Sequence, residues 1–389
     1  MRVLHVITGL NAGGAETLLC NLSIPLKAAG FEQRVVSLLG EGPLGARIRE
    51  NGIECRNLGL RRGYPDLSSF WRLADEIRDY RPAVIHGWMY HACLLAAVGS
   101  SLTGRKTPLL WGIHHAHLGF SHNSLSTLIA ATLCGFFSFN KKVNLVYCAE
   151  SSRKAHEERG YCGKRAVFIP NGYDPERFFK DAGAGAALRA RLGIPADATV
   201  IGMAGRYDPI KDHATFLEAA SIVRQADTGK IVFFLFGEGI APSTDGLVSM
   251  IDGRGLTSAV VLGGRQEHMV AAYSALDVFV SSSRGEAFPN VICEAMLCEL
   301  PCIVTDVGDC RAIIGDAGYV VPAGEPEALA QSIRSALKLS AEARSRLGAE
   351  ARRQIAVRYP ATKFLSRHIS EYMNLVTDPI QASRGTCAT

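Results

Sequence analysis

Two successive series of short apolar runs constrain this chain more than any other feature. The first has members at 2–8, 34–39, 53–58, 83–86, 109–113, 144–148 and 166–169; the second at 199–204, 231–236, 259–262, 278–281, 302–305 and 319–321. The runs are rich in Val, Ile and Leu, as strands buried on both faces of a parallel sheet are. Helical spacing separates most of them, as in Leu18, Leu19, Leu22 and Leu26, or in 67–80, which stops before Pro82. Alternation on this scale predicts an α/β chain with two doubly wound parallel sheets, each covered by helices on both faces. The expected organisation is a domain at 1–180, an Ala- and Gly-rich linker at 181–198, a domain at 199–360, and a C-terminal helix returning to the first domain, with a loose tail, over 361–389. Two such halves imply a cleft, with small ligands at the carboxyl ends of the strands.

The chain has 389 residues, enough for more than one core, and its 48% hydrophobic and 20% charged content excludes a disordered chain. A net charge of +5 suits anionic ligands or a phospholipid surface and is too small for a nucleic-acid-binding signature. The 11 cysteines include no CxxC pair and read as reduced thiols of a cytoplasmic protein. Cys293, Cys298, Cys302 and Cys310 are close in sequence but fall around a helical turn and a strand, so no metal site is expected there. The N-terminus is too short in its apolar run for a signal peptide and reads as a first strand. Between Leu118 and Asn140 there is no Asp, Glu, Lys or Arg, and Lys141 and Lys142 follow. Its densest part, 125–139, is too short to span roughly 30 Å of hydrocarbon. A buried core helix is the simpler reading; a helix lying on a membrane with its basic end at the headgroups is the other.

Candidate chemistry collects at strand exits. Gly13 and Gly14 join the first strand to the first helix, where glycine lets backbone amides approach a phosphate. GLNAGGAE does not satisfy G-x-G-x-x-G, which argues against a dinucleotide site. Arg206 and Lys211 follow the strand at 200–204, and two cations five apart suit a pyrophosphate. Gly237 and Glu238 end the strand at 231–236, and Arg265 follows the run at 259–262. The stretch 281–298, SSSRGEAFPNVICEAMLC, sets Glu286 and Glu294 eight positions apart on either side of Pro289, a helix-starting residue. The first-turn amides of that helix would then form an anion site between two acids.

Taken together, GGAE at 13–16, IHH at 113–115, IPNGYDPERF at 169–178, GRYDPIKDH at 205–213, FGEG at 236–239 and the run 281–309 resemble the retaining glycosyltransferase family 4. The pieces stand in family order over nearly the whole chain. The resemblance implies the GT-B fold, two Rossmann-like domains facing across a cleft, and transfer of a sugar from a UDP- or GDP-sugar to a hydroxyl acceptor. It implies that Glu294 holds the nucleotide ribose and Glu286 the sugar hydroxyls. Arg206 and Lys211 would bind the diphosphate and stabilise the leaving group, and Gly14 would bring its amide to the diphosphate. His114 would lie against the donor sugar. Backbone of Ala287, Phe288, Pro289, Asn290 and Val291 would meet sugar and diphosphate, with Gly13, Gly205, Gly237, Glu238 and Arg265 around the donor. No two aspartates stand two apart, so the Asp-x-Asp metal motif is missing; neither cofactor nor metal is expected, and the nucleotide-sugar is a co-substrate. His114 and His115 would point opposite ways on a strand, and His117 stays unassigned. Asp309 stands where the family often has glycine, which touches donor identity. A lipid-linked glycan of surface polysaccharide is the expected acceptor, at the inner face of a membrane. A sugar-nucleotide epimerase or hydrolase of the same fold, or a non-catalytic sugar-nucleotide-binding partner of an assembly complex, are the alternatives.

Overall fold

The computed structural model describes residues 1–11, 13–61, 66–116, 119, 124–226 and 229–377. The chain packs as two units, Met1–Gly172 with the segment from Ala361, and Tyr173–Pro360. In the first unit seven parallel strands are β1 (Arg2–Ile7), β2 (Glu32–Ser37), β3 (Glu54–Asn57), β4 (Val84–Trp88), β5 (Leu109–Ile113), β6 (Val143–Tyr147) and β7 (Ala166–Phe168). Their order is β3-β2-β1-β4-β5-β6-β7. Alternate residues serve opposite faces, so that Leu4 and Val6 enter one core and Val3 and Ile7 the other. The helix Ala361–Thr377 closes the second core, burying Phe364 and Tyr372 beside Leu18 and Leu22 of the helix Gly14–Ala28.

The second unit repeats the plan with six strands: β8 (Thr199–Ala204), β9 (Ile231–Phe236), β10 (Val260–Leu262), β11 (Val278–Ser281), β12 (Cys302–Thr305) and β13 (Gly318–Val321). They are ordered β10-β9-β8-β11-β12-β13. In both sheets the order reverses beside the first strand, between β1 and β4 and between β8 and β11. Brought out at those reversals, loops on the carboxyl side diverge and leave room for a ligand.

Two segments differ from expectation. The segment 181–198 falls within the second unit and contains a helix, Ala182–Arg191, capped by the Asp181 side chain, which accepts from Ala184 N at 2.9 Å. Arg189 of that helix donates to the Ala275 carbonyl and to Asp277, at 2.8 and 2.9 Å. Part of 118–142 lies outside the described residues, but Leu125–Phe137 is a helix and it is not a buried core helix. Its small residues Ala130, Ala131, Cys134 and Gly135 face inward, with the Tyr161 hydroxyl donating to the Ala131 carbonyl. Four of its large ones point out, with Leu125 67% exposed, Phe136 77%, and Ile129 and Leu133 also exposed, while Phe137 packs against the core; Phe139, just past the helix, is exposed as well. No helix among the described residues is long and apolar enough to cross a membrane.

Candidate active site

The exits of β8 and β11 are tied together by backbone and side chains. After β8 the chain runs through Gly205 and Arg206, makes a 3-10 turn at Pro209–Lys211, and turns into a helix at His213 through Asp212, whose φ of 51° is left-handed. That conformation is costly for a residue with a Cβ. Asp212 is held in it from three sides. Its carboxylate accepts from Thr215 Oγ1 and from Arg284 Nε, both at 2.7 Å, while the Ser282 hydroxyl contacts the carbonyls of Lys211 and Asp212 at 3.0 Å. Arg284 N also donates to the Ile210 carbonyl at 2.8 Å. The loop that carries Lys211 is thereby fixed to the strand exit that carries Glu286.

The consequence is a direct pairing of two expected site residues. Lys211 Nζ donates to Glu286 Oε1 at 2.5 Å, and the Ser283 hydroxyl donates to the same oxygen at 2.7 Å. The two side chains are only 17% and 12% exposed, so this charge-assisted contact is little screened by water. Arg206 stands apart at 61% exposure, with a loose 3.7 Å contact to Asp208.

Glu294 lies on the helix Asn290–Leu297, whose first turn follows Pro289 as its cap residue, one position earlier than a helix-starting proline would sit. No side chain caps that first turn. Glu294 accepts from the Tyr273 hydroxyl at 2.9 Å, and burial of its carboxyl raises its pKa to about 7. Asn290 accepts from the Tyr173 hydroxyl at 2.6 Å, and the Phe288 ring stacks near Tyr173 and packs edge-on against Tyr359. The Phe288 side chain is thus held by packing against two tyrosines, and Pro289 has no N–H to offer a ligand. Val291 opens the helix beside Asn290 and is partly exposed.

Close backbone approach explains two glycines. Gly237 has a φ of 146°, and a Cβ there would lie 2.0 Å from the Gly205 carbonyl oxygen. Gly308 has a φ of 56°, and a Cβ would lie 2.2 Å from the carbonyl oxygen of Glu286. Asp309 N meanwhile donates to the Ala287 carbonyl at 3.2 Å, pinning the Glu286 turn from below. Glu238 and Arg265 are exposed at neighbouring exits, and Tyr207 N donates to the Glu238 carbonyl at 2.8 Å.

In the first unit Gly13 is the extended cap residue of the helix Gly14–Ala28 at the exit of β1. His114 and His115 both follow the end of β5 at Ile113, so strand alternation does not set their directions. His114 stacks flat on Trp88, with ring centroids 5.1 Å apart and planes 8° apart, and burial lowers its pKa to about 3. His115 presents its carbonyl to the Ser152 hydroxyl at 2.7 Å, and His117 lies outside the described residues. Among the described residues no group of His, Cys, Asp and Glu is arranged to hold a metal ion. The thiols of Cys293, Cys298, Cys302 and Cys310 are buried, and burial pushes all four pKa values up.

Sequence reasoning did not single out Asp212, Ser282, Ser283, Arg284, Tyr273 or Trp88. The SSSR tetrapeptide and the aspartate after Lys211 were visible, but their partners lie about 70 positions away, as in the Ser282–Lys211 pair.

Two family models match the chain: Glycosyltransferase Family 4 over residues 12–177 and Glycosyl transferases group 1 over residues 198–338. A lipopolysaccharide core biosynthesis glycosyltransferase, LpsD of Rhizobium meliloti, is 28% identical over 76% of this chain and 75% of that protein. A D-inositol 3-phosphate glycosyltransferase of Saccharomonospora viridis is 32% identical over 56% of this chain, which spans about half, 51%, of that relative. The crystal structure of Anabaena Alr3699/HepE in complex with UDP and glucose superposes with a TM-score of 0.83 at 19% identity, covering 96% of this chain and 99% of that one. At such identity the likeness speaks for the fold, and the family matches speak for the chemistry class. The two parallel-sheet units and the matches in both halves place this chain among the glycosyltransferases of the GT-B fold.

Proposed function

We propose that the protein is a retaining, metal-independent glycosyltransferase that moves a sugar from a UDP- or GDP-sugar to a hydroxyl of a lipid-linked glycan in surface polysaccharide synthesis, working at the cytoplasmic face of a membrane. The observation that carries the reading is the Lys211–Glu286–Ser283 contact at the β8/β11 reversal, with Glu294 on the helix that follows. Glu286 accepts sugar hydroxyls, Glu294 accepts from the ribose, and Lys211 and Arg206 stabilise charge on the leaving diphosphate. In the first unit His114 is assigned to the transferred sugar and Gly14 to the diphosphate. The bond from the anomeric carbon to the phosphate oxygen breaks, the acceptor oxygen bonds to that carbon on the same face, and the acceptor proton passes to the departing diphosphate. UDP and UDP-glucose, seen with the HepE structures, are the first donors to try.

A thermal-shift screen of UDP- and GDP-sugars, followed by turnover of those that raise Tm, tests the reading, since a molecule bound to the native state raises Tm with its affinity. No turnover of any donor, together with unchanged nucleotide binding in Glu286→Gln and Glu294→Gln, overturns it. NMR of the products separates transfer from epimerisation.

The acceptor side has its own support. The outward stripe Leu125, Ile129, Leu133 and Phe136 ends at a cationic corner, where Arg165 donates to the carbonyls of Ser138, Phe139 and Asn140 and Lys142 donates to the Arg105 carbonyl. Lys106, Lys141 and Lys164 are exposed beside them. An apolar face bordered by cations fits an anionic lipid surface, where each Lys or Arg near the headgroups contributes about 1 kcal/mol. The protein is expected to sediment with phosphatidylglycerol vesicles and much less with phosphatidylcholine vesicles. Ile129→Asp with Phe136→Asp should abolish the difference, and a wild-type protein left in the supernatant removes the membrane assignment.

A further inference from the structure

Beneath His114 the first unit holds a cluster of rings from β1, β4 and the helix Ala361–Thr377. His5 and His86 are register partners on adjacent strands, and Trp88, two residues after His86, faces the same side. Trp88 is fully buried and held on two sides. On one side its indole N–H donates to His5 Nδ1 at 3.3 Å, which leaves His5 protonated on Nε2. That nitrogen donates to Gln33 Oε1 at 3.2 Å, and Gln33 Nε2 donates to the Ser23 carbonyl at 2.9 Å, in the helix Gly14–Ala28. On the other side the His86 ring stacks on Trp88 at 4.4 Å, and His86 Nδ1 meets the Tyr372 hydroxyl at 2.7 Å.

His114 has no comparable anchor. Neither of its ring nitrogens has a hydrogen-bond partner among the described residues, although both are buried. A group so placed is held by packing, and here the packing is the Trp88 face. Gly112 makes room for it, because a Cβ at that position would lie 2.9 Å from His114 Nε2 and 3.2 Å from His86 Nε2. His5 and His86 are kept neutral by burial and put no competing charge beside the stack.

We infer that Trp88 is the positioning residue for His114, and that the C-terminal helix holds Trp88 in place through the Tyr372–His86 hydrogen bond. The inference rests on the assignment of His114 to the donor sugar. It adds that residues far from the chemistry, on β4 and on the last helix, set the angle at which that imidazole is presented.

A double-mutant cycle in the full chain tests it, using the panel donor with the highest turnover and UDP binding measured separately by calorimetry. Trp88→Leu is expected to lower kcat about tenfold, in line with the cost of misplacing a substrate-facing group. UDP affinity should stay unchanged, and Trp88→Phe, which keeps a flat face, should recover most of the loss. Tyr372→Phe should lower kcat about two- to threefold by the same route, and both effects should vanish in a His114→Ala background because the residues act through one group. Losses that add to that of His114→Ala, or a Trp88→Leu protein that is merely less heat-stable with full kcat per folded molecule, overturn the positioning role and leave the function intact. A His114→Ala protein with wild-type kcat, or no turnover with any donor, overturns the His114 assignment and this inference together.

Discussion

Lys211→Ala is expected to lower kcat by about 10²- to 10³-fold, the usual loss when one preorganised group facing developing negative charge is removed. The dissociation constant of the free sugar nucleotide should change far less, because the contact with the diphosphate strengthens only as the glycosidic bond breaks. Two features of the site sharpen this. The amine is poised against Glu286 in a poorly hydrated spot, and its loop is clamped by Asp212, Ser282 and Arg284, so little reorganisation is needed when charge develops. Steady-state kinetics beside calorimetric binding of the same donor makes the comparison. Equal losses in kcat and in affinity would show that Lys211 only helps to bind. Arg206→Ala should behave in the same direction but more weakly, since that side chain starts exposed and must move.

Glu294→Ala is expected to weaken nucleotide binding by about 10- to 100-fold, the loss of hydrogen bonds to a charged acceptor. The site also carries a pH signature. With its pKa raised to about 7 by burial, Glu294 is largely protonated in slightly acidic solution. A ribose that donates to the carboxylate therefore binds worse as pH falls through about 7, and Glu294→Gln should remove that slope as well as lower the affinity. The stability of the free protein moves the other way. A carboxyl whose folded pKa lies above its unfolded value of 4.5 contributes stability that is fully present below 4.5 and is lost as pH rises through about 7. Glu294→Gln should accordingly raise Tm at pH 8 and leave it nearly unchanged at pH 4.5, in thermal scans without nucleotide. A Tm difference independent of pH would mean that the carboxyl is not held protonated by its surroundings.

Strands and amphipathic helices were legible in the chain because they repeat. Both strand series were visible as Val, Ile and Leu runs, and the first helix was visible in the spacing of Leu18, Leu19, Leu22 and Leu26, which line the buried face of Gly14–Ala28. Tyr90–Leu102 was not visible as a helix, since it is apolar nearly all round and gives no periodic contrast. Ala341–Arg358 was missed for the opposite reason, being charged almost all round with only Gly348, Ala351 and Ile355 buried. The helix Leu125–Phe137 was visible as apolar, but composition cannot say that Ala130, Ala131, Cys134 and Gly135 would face in and Leu125, Ile129, Leu133 and Phe136 out.

The site divides along the same line. From the sequence by itself came the two α/β halves, the strand exits at which chemistry could collect, and Glu286, Glu294, Arg206 and Lys211 as its charged groups, because strand and helix periods and short motifs are local properties. Only the tertiary structure decided which of those groups meet. It paired Lys211 with Glu286 across 75 positions, set Tyr273 on Glu294, and laid His114 on Trp88. Such pairings depend on which strands become neighbours in a parallel sheet, and β8 lies beside β11 rather than beside the strand that follows β9 in the chain. A crossover of that kind brings distant residues within hydrogen-bond reach while leaving no periodic trace between them.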